Sequence, residues 1–498
     1  MKRDLSALER HEFDVLVVGG GIFGIAVARD AVQRGLRVAL VERGDFAHAT
    51  SANSFRIVHG GIRYLQHGDL VRLRESCRER RALLRVAPHL VHPLPIVVPT
   101  YGRGVRGRAL LGAGFALYDL LAADRNRDVT DPDQRIPRGQ MLSRVEVLEL
   151  FPNLESNGLT GGGLFYDAQM RNPPRLALAF LRAAADAGAH AANYVEVTGF
   201  IRRHDTIGGV LCRDILTGQQ FALRSRMVVN ATGPWAEALL RDALHVPLTP
   251  PSTFSRDACF VVPRPLLGRH ALAVAAHTRD PDAIVSRQAR HLFLAPWGGA
   301  TVIGTWHTVH SGPPDRFAVT NEELAGFVDA VNTGYPALRL TLDDVSLWNA
   351  GLVLFGTNLP GAVNLRYGKR SRIVDHARVH SVAGLVTVIG VRFTTARAVA
   401  EAVVNLVGRK LGRRLPACTT ATAPADGGAI EQIGAFLHGA VESRPAVIRA
   451  ETMHRLVHNY GAGYRRILRY QETGAAWLEP VGASGVLRAE IAHAVREE

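Results

Sequence analysis

The sequence predicts an α/β chain: a discontinuous Rossmann-type nucleotide domain, a second domain with a mixed or antiparallel sheet, and a small helical C-terminal domain. Three observations predict it. A strand-like run, Asp14-Val15-Leu16-Val17-Val18, enters the turn Gly19-Gly20-Gly21-Ile22-Phe23-Gly24 and, after a helix, a second strand that Glu42 closes. Two further short apolar strands stand far downstream, Met227-Val228-Val229-Asn230 before Ala231-Thr232-Gly233 and Val386-Thr387-Val388-Ile389 before Gly390. Between them, 245–355 alternates strands with loops, the pattern of a mixed or antiparallel sheet.

Each part of the first unit has a physical task. Gly19 makes the tight turn, Gly21 lets the backbone approach a pyrophosphate, and Gly24 lets helix and strand pack closely. The helix that opens there aims free N–H groups and its positive dipole end at phosphates. Glu42 stands where a carboxylate accepts from a ribose hydroxyl. A G-x-G-x-x-G alone is weak evidence, but here strands, helix and acid all fall at the required spacing. The chain therefore binds a dinucleotide.

Further along, apolar spacing predicts an amphipathic helix over 69–87. Pro88, Pro93, Pro95 and Pro99 break that pattern and mark a crossing into another domain. Residues 109–123 form an apolar stretch, interrupted by Asp119 and too short to span a bilayer. An alanine-rich helix is expected over 175–187, a linker over 418–428, and helices beyond it. Three separated segments, 13–64, 188–235 and 386–408, thus contribute to one nucleotide domain. An NAD domain is usually contiguous, so the interrupted placement suits FAD better.

Composition narrows the function classes. A length of 498 residues calls for two or three domains, and 47% hydrophobic with 21% charged residues is typical of a folded, soluble protein. Four separated cysteines without a C-x-x-C pair argue against a disulfide framework or a metal site and fit a reducing cytoplasm. No signal peptide is visible in residues 1–12. The net charge of +14, carried almost wholly by arginine, points to an anionic substrate or an anionic membrane surface. The basic clusters at 72–85 and 409–414 lack interleaved aromatics, so no nucleic-acid partner is expected.

The segments Ala49-Thr50-Ser51, His59-Gly60-Gly61-Ile62-Arg63-Tyr64, Asn230-Ala231-Thr232-Gly233-Pro234-Trp235, Ala295-Pro296-Trp297, Ile303-Gly304-Thr305 and Thr394-Thr395-Ala396-Arg397 carry a resemblance. The chain resembles the FAD-dependent, aerobic and quinone-linked glycerol-3-phosphate dehydrogenases, within the D-amino-acid-oxidase-like flavoproteins. The resemblance implies an FAD-binding domain over 13–87, 188–244 and 356–415, a substrate or cap domain over 88–187 and 245–355, and a helical C-terminal domain over 425–498. It implies FAD held by Gly19, Gly21, Gly24, Glu42, Thr50, Ser51, Ala231, Gly233, Gly390 and Thr394. It places substrate near Arg63 and Tyr64, where a guanidinium fork suits phosphate. His59 is either the base that takes the hydroxyl proton or a histidine that only hydrogen-bonds flavin or backbone. Electrons would pass to a quinone or oxygen, in a cytoplasmic enzyme compatible with peripheral attachment to the inner face of the membrane.

The substrate side departs from the family. Relatives place a phosphate-binding arginine where Val353 stands, a histidine at Cys259, Thr-Asp at Trp306-His307, and a lysine at Arg392. Losing a buried phosphate arginine costs about 2–5 kcal/mol unless another cation replaces it. Arg392 keeps one charge, and Arg256, Arg366 or Arg370 are candidates for another. Trp306 is expected to narrow or stack against the pocket, beside Cys259, and His307 adds a second possible base. Either rearranged cations hold the same substrate, or the substrate is a different anionic secondary alcohol or an amine.

Overall fold

The computed structural model describes residues 1–102, 108–279, 281, 289–356, 358–366, 368–482 and 484–498. Among them the chain builds two large sheets and a separate helical cluster. In the first sheet the strands run Arg372–Asp375, Leu385–Ile389, Gln220–Asn230, Glu12–Val18, Val38–Val41 and His190–Ala192. All neighbours on this path are parallel except the Arg372–Asp375 edge strand. The Val195–Arg203 and Thr206–Asp214 strands extend it through antiparallel pairing to Gln220–Asn230. Val15 and Val17 pack into one core and Leu16 and Val18 into another, so the first strand is buried on both faces. That is why it is an unbroken apolar run. The helices Ile22–Gln33, Pro173–Asp186 and Ala396–Lys410 cover one face.

The second sheet holds nine strands, with Leu347–Phe355, Thr253–Val262, Ala300–His310, Ala289–Trp297, Ala271–Arg279, Val91–Tyr101, Leu159–Met170 and Ile57–Val58 in spatial order and Gln140–Leu142 beside Leu159–Met170. Its pairs are antiparallel except that Ala271–Arg279 lies parallel to Val91–Tyr101. That parallel pairing is confined to Ile96 and Val97, so Pro93, Pro95 and Pro99 remove few ladder bonds. The region 245–355 also contains a helix, Asn321–Gly334, where only strands and loops were expected. Thr320 and Glu323 form its capping box.

The amphipathic helix runs Leu70–Val86 and is capped by Asp69, whose side chain accepts from Arg72 N–H. The apolar stretch forms the helix Arg108–Leu121, burying Phe115 and Tyr118 while Leu110, Leu117 and Leu120 face outward. No described helix is long and apolar enough to cross a membrane. The segment expected as a linker packs tightly instead: Arg29 donates to the carbonyls of Ala423 and Pro424. Beyond it the helices Ile433–Glu442, Ala450–Tyr460, Tyr464–Leu468 and Arg488–Glu497 share their own core.

Candidate active site

A cavity of about 630 Å³ lies between the carboxyl ends of the parallel strands and one face of the second sheet. Open α/β sheets bind ligands at such strand ends. At its nucleotide end Gly19 takes φ +107°, and a Cβ there would stand 2.7 Å from the Ala231 carbonyl oxygen. A Cβ on Gly24 would stand 1.9 Å from the Gly19 carbonyl oxygen, so the helix rests directly on the turn. Gly21 is the N-cap of that helix and supplies no side chain. The Ile22 N–H donates to Ser51 Oγ at 2.9 Å, and Phe23 begins a helix end that faces the cavity. The Glu42 carboxylate accepts from the amides of Gly20 (2.6 Å) and Gly44 (2.7 Å), one at each oxygen. Each oxygen keeps a further lone pair for a ribose hydroxyl. Thr50 lines the cavity but donates its hydroxyl to the Leu352 carbonyl at 3.0 Å, so it joins the loop to the second sheet.

The cavity continues past Ala231 and Gly233, the latter at φ +58°, to the turn after the Leu385–Ile389 strand. There the Gly390 backbone lies on the Phe23 ring, where a Cβ would approach to 1.9 Å, and Thr394 is buried at the wall. A glycine cradle, a helix end whose N-cap is glycine, a carboxylate at a strand end and a second turn opposite all fit an extended dinucleotide. Gly24 supports this cradle from behind and does not line it.

The other end of the cavity is cationic. Arg392 donates from Nη1 to Tyr64 Oη (2.9 Å) and Ser76 Oγ (3.1 Å), and from Nη2 to Glu75 (3.3 Å). The Tyr64 ring stacks with two guanidiniums, Arg72 at 4.4 Å and Arg392 at 5.3 Å. Arg63 and His59 line the same region. Burial, then the charges of Arg392, Arg80, Arg63 and Arg72, hold the His59 imidazole neutral, with its pKa lowered to about 3. Beneath it Arg80 and Asp167 form a buried pair at 2.7 Å, and Asp167 also accepts from Gly60 N–H at 2.5 Å. A Cβ on Gly60 would strike Arg80, which explains the glycine beside His59. Arg72, 4% exposed and paired with Asp69 at 2.7 Å, joins this group without having been singled out from sequence. It sits in the first turn of an amphipathic helix, where an arginine ordinarily signals a solvated face.

On the second sheet, Cys259, Thr305 and His307 reach the wall, and Val353 offers no charge there. Burial pushes the Cys259 thiol up to about 11. Arg56, also missed from sequence, stacks on Trp297 at 4.1 Å and donates to Asn349 at 3.1 Å. Trp306 corrects the expectation: its indole stacks on Phe327 at 5.2 Å, in the core behind the sheet. Adjacent strand residues point to opposite faces, so a cavity-facing His307 puts Trp306 on the other side. Arg256 likewise turns away, to Glu323 and Thr308. Arg366 and Arg370 do not line the cavity. Asp257, unremarked in the sequence, pairs with His307 Nδ1 at 2.8 Å. Among the described residues no group of side chains is arranged to hold a metal ion.

Known proteins match this arrangement. The profile of the FAD dependent oxidoreductase family covers residues 14–406. The chain belongs to that family. It is a flavoprotein oxidoreductase, and FAD is the dinucleotide for which the cleft is built. A glycerol-3-phosphate dehydrogenase of Synechocystis is 34% identical over 436 residues, covering 85% of this chain and 75% of that one. The human mitochondrial glycerol-3-phosphate dehydrogenase is 29% identical over 521 residues, and the chain spans 65% of its length. The FAD complex of glycerol-3-phosphate dehydrogenase from Bacillus halodurans superposes with a TM-score of 0.76, at 27% identity over 99% of this chain and 84% of that one.

Proposed function

We propose that this flavoprotein oxidises sn-glycerol 3-phosphate to dihydroxyacetone phosphate and passes the electrons to a quinone or to oxygen. The observation that carries this reading is the cationic end of the flavin cleft, where Arg63, Arg72 and Arg392 gather around Tyr64 and His59. The relatives are named glycerol-3-phosphate dehydrogenases.

In this reading Gly19, Gly21, Glu42, Thr50, Ser51, Ala231, Gly233, Gly390 and Thr394 hold FAD, with Gly24 behind them. The bound flavin supplies a two-electron acceptor for hydride. Arg63 and Arg392 neutralise the phosphate, and Tyr64 fixes Arg392 through its hydroxyl. His59 or His307 takes the proton from the C2 hydroxyl. The cavity wall around Cys259 excludes water from the reacting carbon.

The segments 13–87, 188–244 and 356–415 act as the FAD-binding domain, 88–187 and 245–355 as the substrate domain, and 425–498 as a helical appendage. A cytoplasmic enzyme could rest on the inner face of the membrane through the outward Leu110, Leu117 and Leu120. One observation favours a second reading, a different anionic alcohol or an amine. Val353 stands on the cavity wall, where the resemblance implies a phosphate-binding arginine.

Anaerobic titration decides between them. The oxidised-flavin absorbance of the purified holoenzyme should bleach on adding sn-glycerol 3-phosphate. Bleaching only by another phosphorylated or carboxylated alcohol, or by an amine, would replace the proposed substrate.

A further inference from the structure

We propose that Asp257 and His307 form the proton-accepting pair of the reaction, with His307 Nε2 as the base and Asp257 as its positioning residue. The inference rests on the reading of the cavity as an alcohol-oxidising site and goes beyond it by naming the base.

The geometry is set by strand register. Asp257 of the Thr253–Val262 strand lies directly opposite His307 of the Ala300–His310 strand, and both side chains reach the cavity. His307 Nδ1 meets Asp257 Oδ1 at 2.8 Å. The buried Ser255 hydroxyl donates to the same carboxylate oxygen, which anchors it. A carboxylate only accepts, so Nδ1 carries the hydrogen and the lone pair is left on Nε2. Asp257 also stabilises the positive charge that forms once Nε2 has taken a proton, the part a carboxylate plays behind a catalytic histidine.

The other candidates are poorly placed for that task. A proton arriving on His59 would meet burial and the charges of Arg392, Arg80, Arg63 and Arg72, which lower its pKa to about 3. The Cys259 thiol, pushed up to about 11, holds its own proton at neutral pH. The carboxylate stands on the first of these two strands, at Asp257, and the imidazole on the second, at His307.

The step balances. The O–H bond of the secondary alcohol breaks and its proton passes to Nε2. The C–H electron pair leaves with its hydrogen as hydride, which the flavin takes up, and the C=O bond forms.

The test compares His307→Gln, Asp257→Asn and His59→Gln holoenzymes with the unaltered protein. The rate of anaerobic flavin bleaching is followed against pH, alongside flavin content. Bleaching should slow by at least about a hundredfold in His307→Gln and at least about tenfold in Asp257→Asn, with flavin content unchanged. The acid limb of the pH profile should vanish in His307→Gln and persist in His59→Gln. An independent readout is NMR of nitrogen-labelled histidine: the Nδ1–H signal lost in His307→Gln should convert to an Nε2–H signal in Asp257→Asn. A His307→Gln rate within about threefold of the unaltered protein, against the hundredfold expected of a base, overturns the proposal. So does loss of the acid limb in His59→Gln alone. If another alcohol bleaches the flavin and glycerol 3-phosphate does not, the substrate reading fails while the same variants judge the pair on that alcohol. Bleaching by amines only, or by nothing, overturns the pair as well, because no hydroxyl then needs a base.

Discussion

Gly24 and Gly21 are the same letter under different constraints. A methyl group on Gly24 would sit 1.9 Å from a backbone oxygen, and no rotamer can relieve that clash. On Gly21 the nearest obstacle is the Ser51 hydroxyl at 3.3 Å, and φ is −75°. Gly24→Ala should therefore destabilise even flavin-free protein, by about 1–3 kcal/mol, as overpacking does. Gly21→Val should leave the flavin-free protein folded and remove bound flavin. Thermal melts with and without flavin, together with flavin absorbance, separate the two. An unchanged flavin-free midpoint in Gly24→Ala would refute the packing argument. The spacing of the motif made both glycines legible, but which constraint acts at which one depends on the Gly19 carbonyl and so appears only in three dimensions. The same holds for Trp306 and His307. Their chemistry was legible in the letters, while the face each takes depended on the register with the neighbouring strand.

At the scale of elements, the parallel strands were legible because each is an apolar run ended by glycine. The helix Asn321–Gly334 was not, although Thr320 and Glu323 stand at capping-box spacing just before its apolar positions. The Thr394-Thr395-Ala396-Arg397 motif was visible too, and Glu401 one turn on pairs with Arg397 at 2.9 Å, but nothing near it in sequence names its buried partner. That partner is Glu79, from the Leu70–Val86 helix, whose carboxylate receives Nε and Nη2 at 2.7 Å each. The Glu79 side chain is fully buried and that of Arg397 is 6% exposed, so the pair clamps the helix carrying Arg72 to the helix that follows the Gly390 turn. Glu79→Ala should cost about 3–5 kcal/mol by removing the buried carboxylate and leaving the guanidinium only the half-exposed Glu401. Replacing Glu79 by Leu and Arg397 by Met together should recover most of that loss. Denaturant midpoints check both, and equal midpoints for the single and double variants would show that the pair does not act as a clamp.

Across the whole molecule the arginine surplus is put to work between parts as well as in the cavity. The helical cluster at the C-terminal end has its own core, yet charge fastens it to the Pro173–Asp186 helix. Arg175 grips Glu498 with two nitrogens and stacks on Tyr460 at 4.2 Å, while Arg182 donates to the Glu497 carbonyl at 2.7 Å and pairs with Asp426 at 3.3 Å. Burial alone would raise the Glu498 carboxyl, but the Arg175 bonds outweigh it and hold the group below its ordinary range. A carboxyl depressed on folding contributes stability that is present above its unfolded pKa, about 4.3, and is lost as pH falls through the folded value. Acid should therefore loosen the attachment of the helical cluster before it unfolds the two sheets, whose cores contain mainly apolar contacts. Glu498→Gln should produce the same loosening at neutral pH, at a cost of about 3–5 kcal/mol. Hydrogen exchange reads it directly: amides of the Arg488–Glu497 helix should lose protection while those of the Glu12–Val18 strand keep theirs. Equal loss in both would mean that the cluster and the sheets unfold as one unit, and that the contacts around Glu498 fasten no separable part.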